Sequence, residues 1–158
     1  MVSLRFYTPD DFSELNYSLD AEQSMFTSSV ENALKRIKER NDGRAFPVTV
    51  YLNEKRVGFF VLDFGNDKCE LSGNEHCVLL RSLSINPEFQ GKGVGKETMS
   101  RIDAFVRKNF CDCSEIVLAV NHNNSSAFQL YLRTGYLYEG KSVEGRNGPQ
   151  YVMTKALS

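Results

Sequence analysis

One stretch constrains this 158-residue chain more than any other: Ile85-Asn86-Pro87-Glu88-Phe89-Gln90-Gly91-Lys92-Gly93-Val94-Gly95-Lys96. Before it comes an apolar run, Cys77-Val78-Leu79-Leu80. A strand apolar on both faces belongs inside a sheet that is covered on both sides. Asn86-Pro87 ends that strand, because proline has no N–H to give to a ladder. Beyond the loop, Ile102, Val106 and Phe110 recur four apart with Met99 and Phe105 beside them, which predicts a helix over 94–110. Glycines at 91, 93 and 95 let the backbone turn sharply and let a ligand approach its N–H groups. The helix start adds unpaired N–H donors and a partial positive charge. Strand, glycine turn and helix N-terminus together make an anion site suited to a pyrophosphate.

Two familiar phosphate loops fail on spacing. A Walker A loop needs four residues between its glycines and a hydroxyl after its lysine; here the gap from Gly91 to Gly95 is one short, and Glu97 stands where the hydroxyl would hold Mg²⁺. A dinucleotide fingerprint needs G-x-G-x-x-G in the first strand-helix unit, whereas this loop reads G-x-G-x-G and lies mid-chain. A ligand-free strand-to-helix turn is the plain alternative.

The rest of the chain supplies a frame for that loop. Segment 2–6 reads as a first strand, and Thr8-Pro9-Asp10-Asp11 as a helix start, with Phe12 and Leu15 facing inward. Phe26, Val30, Leu34 and Ile37 predict one helix over 24–39, ended by Asn41-Asp42-Gly43. Segments 46–52 and 56–64 read as a hairpin around Asn53-Glu54-Lys55. A polar loop over 65–75 leads to the central strand over 76–85. A strand over 115–120, a helix over 126–134 capped by Gly135, and strands over 136–139 and 150–156 around an Asn147-Gly148 turn complete the order. The expected fold class is α/β (α+β): one domain over 1–158, with a mixed, mostly antiparallel sheet of about seven strands and about four flanking helices.

Composition narrows the function. Apolar residues at 41% and charged residues at 25% give a globular balance. A net charge of -1, with its 19 Lys and Arg spread along the chain, disfavours a nucleic-acid partner. No apolar run approaches the ~20 residues that span a bilayer, and the first ten residues have no signal-peptide pattern, so no membrane role and a cytosolic location are expected. Of Cys69, Cys77, Cys111 and Cys113, the last two are only two apart with no histidine close to them, and the set lacks the four-ligand spacing of a zinc site, so they read as thiols and no metal is expected.

Gln90-Gly91-Lys92-Gly93-Val94-Gly95 resembles the Q/R-x-x-G-x-G/A signature of the GNAT superfamily of acetyl-CoA-dependent N-acetyltransferases. A second block, from Val120-Asn121-His122-Asn123-Asn124 through Ala127, Leu130-Tyr131 and Gly135-Tyr136, resembles that superfamily's next motif at the expected distance. Together the blocks cover residues 79–138, and the element order matches from end to end. Gln23-Ser24-Met25-Phe26, the loop 89–96 and Tyr151-Val152-Met153 are also similar to the bacterial small-amine and polyamine acetyltransferases.

The resemblance implies acetyl-CoA as co-substrate, a small-molecule amine as acceptor and direct attack in a ternary complex, with homodimers frequent. It implies that backbone amides of Gln90, Gly91, Lys92, Gly93, Val94, Gly95 and Lys96 hold the pyrophosphate, and that Leu83, Ser84 and Ile85 face the thioester and the pantetheine arm. Lys92 and Lys96 either add charge near the phosphates or are simply solvated. Asn124 is expected to bond the pantetheine while capping its helix; Asn121 either does the same or ends its strand. Tyr131 matches the tyrosine that donates a proton to the leaving thiolate, although Ala127, Leu130 and Tyr131 share an apolar face that core packing would also explain. His122 reads as an exposed loop residue. No carboxylate occupies the position of a general base: Glu70, Glu75 and Glu88 are near in sequence but off register, which leaves a water chain.

Arg81 stands four residues before Ile85, where the polyamine acetyltransferases look to hold an acid. A permanent cation there would repel a polyamine and grip a carboxylate or phosphate. The alternatives are that Arg81 pairs with a local acid such as Glu75 or points away from the cleft. Rival functions are a peptide or protein N-acetyltransferase and an acyl-CoA-binding domain without turnover.

Overall fold

The computed structural model describes residues 1–157; Ser158 and the side chains of Cys69 and Glu70 lie outside the described residues. Among the described residues there are seven strands: β1 (Val2–Phe6), β2 (Ala45–Leu52), β3 (Lys55–Asp63), β4 (Cys77–Ile85), β5 (Glu115–Asn121), β6 (Leu137–Gly145) and β7 (Gly148–Ala156). They form one sheet in the order β1-β2-β3-β4-β5-β7-β6. Every neighbouring pair is antiparallel except β4 and β5, which are parallel. Among the described residues the helices are α1 (Phe12–Leu15), α2 (Ala21–Phe26), α3 (Val30–Arg40), α4 (Asp67–Leu71), α5 (Val94–Asn109) and α6 (Ser125–Arg133).

Strand alternation builds the layers. On β3, Phe60 and Leu62 point into a core completed by Val48, Val50, Val78, Ile116 and the α5 residues Met99, Ile102 and Val106. Phe59 and Val61 point to the opposite face, against Leu15 of α1 and Val30 and Ala33 of α3. Cys77 to Leu80 are buried as a central strand requires. Among the described residues, no helix is long and apolar enough to cross a membrane, and no group of three or more metal-ligating side chains is assembled.

Three elements differ from the sequence expectation. The helix predicted over 24–39 is two helices, broken at Thr27, where the backbone is extended. Ser29 caps α3 by accepting from the Asn32 amide at 3.1 Å. Consecutive hydroxyl residues offer the backbone this alternative to a continuous helix. The apolar spacing ran across the break because Phe26 is also half-buried, though it lines a cavity rather than the core. The loop expected over 65–75 contains α4. Finally, β6 runs to Gly145 rather than ending at 139, and its outer part is mostly exposed. A polar edge strand lacks the apolar alternation by which strands are read.

Asp11 ties the N-terminal segment to the sheet. Only 1% exposed, it accepts from the Thr8 amide at 3.0 Å, Thr49 Oγ1 at 2.8 Å and Tyr51 Oη at 2.9 Å, and it pairs with Arg56. Burial alone would raise its pKa, but these bonds outweigh burial and hold it below the ordinary 3.8. A carboxylate with a depressed folded-state pKa adds stability above its unfolded value and loses it as pH falls through the folded value. Asp11→Ala strands two buried hydroxyls and a cation. It should cost about 3 kcal/mol in urea unfolding at neutral pH, and this deficit should shrink as the pH falls below about 4.

Candidate active site

The site begins with a failure of pairing. β4 and β5 are matched only at Cys77↔Glu115, Val78↔Ile116 and Leu79↔Val117. Beyond Arg81 the β3–β4 register shifts: Val61 faces Arg81 and Phe59 faces Ser84, so Ser82 and Leu83 stand opposite Phe60 alone. Ser82 takes a φ of 60°, a left-handed conformation that is uncommon for a non-glycine residue. Such a bulge bends its strand. Past it, the facing edges of β4 and β5 no longer bond to each other, which leaves a gap lined by main-chain polar groups.

A cleft of about 420 Å³ occupies this gap. Leu83, Ser84 and Ile85 line one side and Leu118, Ala119 and Val120 the other; Gln90, Gly91 and Gly95 close one end, with Asn124, Ala127, Leu130 and Tyr131 from α6. The N-terminal segment clamps the bulge. Tyr17 Oη bonds the Ser84 carbonyl at 3.2 Å and is 2.7 Å from Ser84 Oγ. Thr27 Oγ1 donates to the Leu83 carbonyl at 3.4 Å. Gln23 and Gln90 exchange amide bonds of 2.7 and 3.2 Å, and Gln90 Nε2 also donates to the Ile85 carbonyl at 2.8 Å. Burial pushes the Tyr17 pKa up to about 12, so it serves as a neutral donor. Sequence reasoning missed the role of Tyr17, which sits in a polar stretch with no periodic signal. Gln23 had one signal, the likeness around Gln23-Ser24-Met25-Phe26.

The glycine loop sits where a ligand could approach it. Gly91 and Gly93 have φ of 73° and 80°, and a Cβ built on either would meet no atom within 4 Å. The left-handed turn therefore favours glycine for its backbone, and open space lies above both residues. Gly93 is the N-cap of α5, whose first intrahelical bond runs from the Glu97 amide to the Gly93 carbonyl at 3.0 Å. The amides before Glu97 lack intrahelical acceptors, as in any first turn. This donor set with open space above it fits a pyrophosphate. Lys92 is exposed with Nζ 5.6 Å from the Phe89 ring centre, and Lys96 is exposed; neither lines the cleft. The Glu97 carboxylate accepts from the Val2 amide at 2.7 Å and so anchors β1 to α5.

Tyr131 projects from α6 into the cleft, with its ring 5.9 Å from that of Tyr136. Burial pushes its pKa up to about 12. Asn124 caps α6 by accepting from the Ala127 amide at 3.4 Å, and its side chain also lines the cleft. Asn121 is buried; it donates to the Asn147 carbonyl at 2.9 Å and accepts from the Asn123 amide at 2.8 Å, fastening the end of β5 to the last hairpin. His122 stacks on Tyr151 at 3.8 Å and lies outside the cleft.

A second cavity, of about 520 Å³, opens beside the first. Phe26, Thr27, Leu80, Arg81, Ser82, Ala119 and Asn121 line both, so the two meet at the bulge. The outer cavity is walled by the α2–α3 junction and the β6–β7 hairpin. Arg81 lies at the junction and pairs at 3.2 Å with each of Asp63 and Asp67, not with Glu75. Asp63 is saturated: Arg40 binds it at 2.7 Å and the Gly65 amide at 2.7 Å. Burial alone would raise the pKa of Asp63, but these bonds keep it below the ordinary range.

A strand gap beside a glycine-rich helix start offers room and main-chain donors for an extended anionic ligand. Residues 10–136 match the profile of the acetyltransferase (GNAT) family, and the chain belongs to that family. It is 35% identical over 154 residues to the uncharacterized N-acetyltransferase YbbJ of Bacillus subtilis (strain 168), covering 96% of this chain and 95% of that one. Its fold resembles spermidine N-acetyltransferase from Vibrio cholerae in complex with CoA and spermine, with TM-score 0.72 and 20% identity over 99% of this chain and 95% of that one. It also resembles the aminoglycoside acetyltransferase AAC(6')-Ib in complex with coenzyme A, with TM-score 0.76 and 18% identity over 99% and 95%.

Gly93→Ala places a methyl group in the open space of the loop. Acetyl-CoA affinity measured by calorimetry should fall about tenfold or more, while urea unfolding registers only the left-handed strain of about 1–2 kcal/mol.

Proposed function

We propose that this protein transfers the acetyl group of acetyl-CoA to the amine of a small molecule by direct attack, with Tyr131 as the proton donor. One observation carries the reading: two cavities meet where β4 and β5 part, and the inner one holds both the glycine loop and Tyr131. Gly91, Gly93 and the first amides of α5 bind the pyrophosphate, while the inner edge of β4 at Leu83, Ser84 and Ile85 presents main-chain donors to the pantetheine arm and the carbonyl. Acetyl-CoA supplies an activated acyl group whose thiolate is displaced by a free amine. Tyr131 gives that thiolate its proton; the raised pKa keeps the phenol protonated throughout the physiological range. Asn124 orients the arm from the start of α6, and Asn121 holds the far lip of the gap.

The amine enters from the outer cavity. The proton it sheds leaves through solvent there, where the lining carboxylates are Asp67, already bonded to Arg81, and the exposed Glu144. Arg81 bounds the junction on the acceptor side. The spermidine and aminoglycoside acetyltransferases of similar fold support a small-molecule acceptor over a protein one. The whole chain acts as one catalytic domain, and the buried thiol of Cys113 suits a reducing cytosol.

Thiol release from acetyl-CoA with a panel of amines tests the reading; binding without release with every amine would mark an acyl-CoA-binding domain instead. Tyr131→Phe keeps the ring and removes the proton, so kcat should fall about 10²-fold or more with little change in the KM for acetyl-CoA. The wild-type rate should show no loss from Tyr131 ionisation up to about pH 10, since its pKa is about 12. A Tyr131→Phe enzyme that keeps its kcat would assign the proton to another group.

A further inference from the structure

We propose that the acceptor carries an anionic group, a carboxylate or a phosphate, and that Arg36 and Arg146 hold it in the outer cavity. The proposal rests on the reading above for the direction of amine entry. Both arginines line the outer cavity and not the inner cleft, so they stand away from the reacting end. Arg36 is half-buried on α3 and donates to Ser28 Oγ at 2.7 Å, which fixes the guanidinium with a neutral partner. Arg146 stands in the turn between β6 and β7 and is exposed. Among the described residues, neither forms an ion pair with a carboxylate.

Among the residues that line the outer cavity, three arginines, Arg36, Arg81 and Arg146, stand against two carboxylates, Asp67 and Glu144. The third cation, Arg81, is matched by Asp63 and Asp67, and Arg40 by Asp63 and Asp42. That leaves Arg36 and Arg146 against the single exposed carboxylate of Glu144. The cations also face one another: burial, then the charges of Arg146 and Arg81, lowers the pKa of Arg36. Like charges gathered around a cavity repel until an anion is bound between them, and a guanidinium fork grips carboxylate or phosphate with paired, charge-assisted bonds. A polycation entering the same cavity would meet repulsion. The wall therefore selects an amine with an anionic tail over a polyamine.

The experiment compares matched amines on protein saturated with CoA. L-Phenylalanine is set against L-phenylalaninamide, phosphoethanolamine against ethanolamine, and spermidine is added as the polycation. Affinity is read by calorimetry and acetyl transfer by thiol release. At least one anionic member should bind about tenfold or more tighter than its neutral twin and tighter than spermidine. Arg36→Gln and Arg146→Gln should each erase most of that difference while leaving CoA affinity intact. Whether the carboxylate or the phosphate pair shows the larger gap identifies the anion. Equal affinity within each pair, or a preference for spermidine, overturns the proposal; so does an anion preference that survives both substitutions. Because affinity is read without turnover, loss of acetyl transfer with every amine would defeat the catalytic reading and leave this result separately legible.

Discussion

The parting of β4 and β5 is the feature on which the rest depends. Two parallel strands at the centre of a sheet would ordinarily stay bonded along their length, since unpaired main-chain groups inside a protein are costly. Here three matched positions are followed by divergence. The bulge at Ser82 and Leu83 bends β4 away, and a serine in left-handed conformation stores part of the cost. On the proposed reading, the gap so made is both the ligand channel and the source of its donors. Placing catalysis at a sheet interruption gives preorganised main-chain dipoles without any side chain having to be immobilised for the purpose.

Such an interruption must be held open, and the N-terminal third of the chain does this. Tyr17, Thr27 and Gln23 each bond to β4 or to the loop that follows it. Helices that add little to the core thus set the shape of the cleft. Asp11 fixes the start of that segment to β2 and β3 through a buried carboxylate, so the clamp has a rigid origin.

The sheet and the glycine turn into α5 were legible in the sequence because local rules govern them. The apolar run of β4, the alternating glycines and the periodicity of α5 each arise from neighbours in the chain. The outer cavity was much less legible. The break at Thr27 hid behind an apolar spacing that continued across it, and the outer half of β6 hid behind its polarity. Arg36 and Arg146, far apart in sequence, meet only through the folding of the α2–α3 junction against the last hairpin. The sequence offered a local acid such as Glu75 as one partner for Arg81, and only tertiary contacts reveal that Asp63 and Asp67 answer it. Asn121, whose two expected roles differed, is engaged by Asn147 and Asn123.

The last hairpin is fastened at its turn, where Asn147 donates to the Met25 carbonyl and accepts from Asn121. The outer cavity is thereby enclosed by two peripheral pieces from opposite ends of the chain, while the glycine loop and Tyr131 belong to the segment between them. On the proposed reading, changes accumulating in the α2–α3 junction or the hairpin alter the mould in which the acceptor is received without disturbing the machinery that handles the thioester. A lineage built on this plan can diversify its choice of acceptor by drift at its margins, with its chemistry inherited whole.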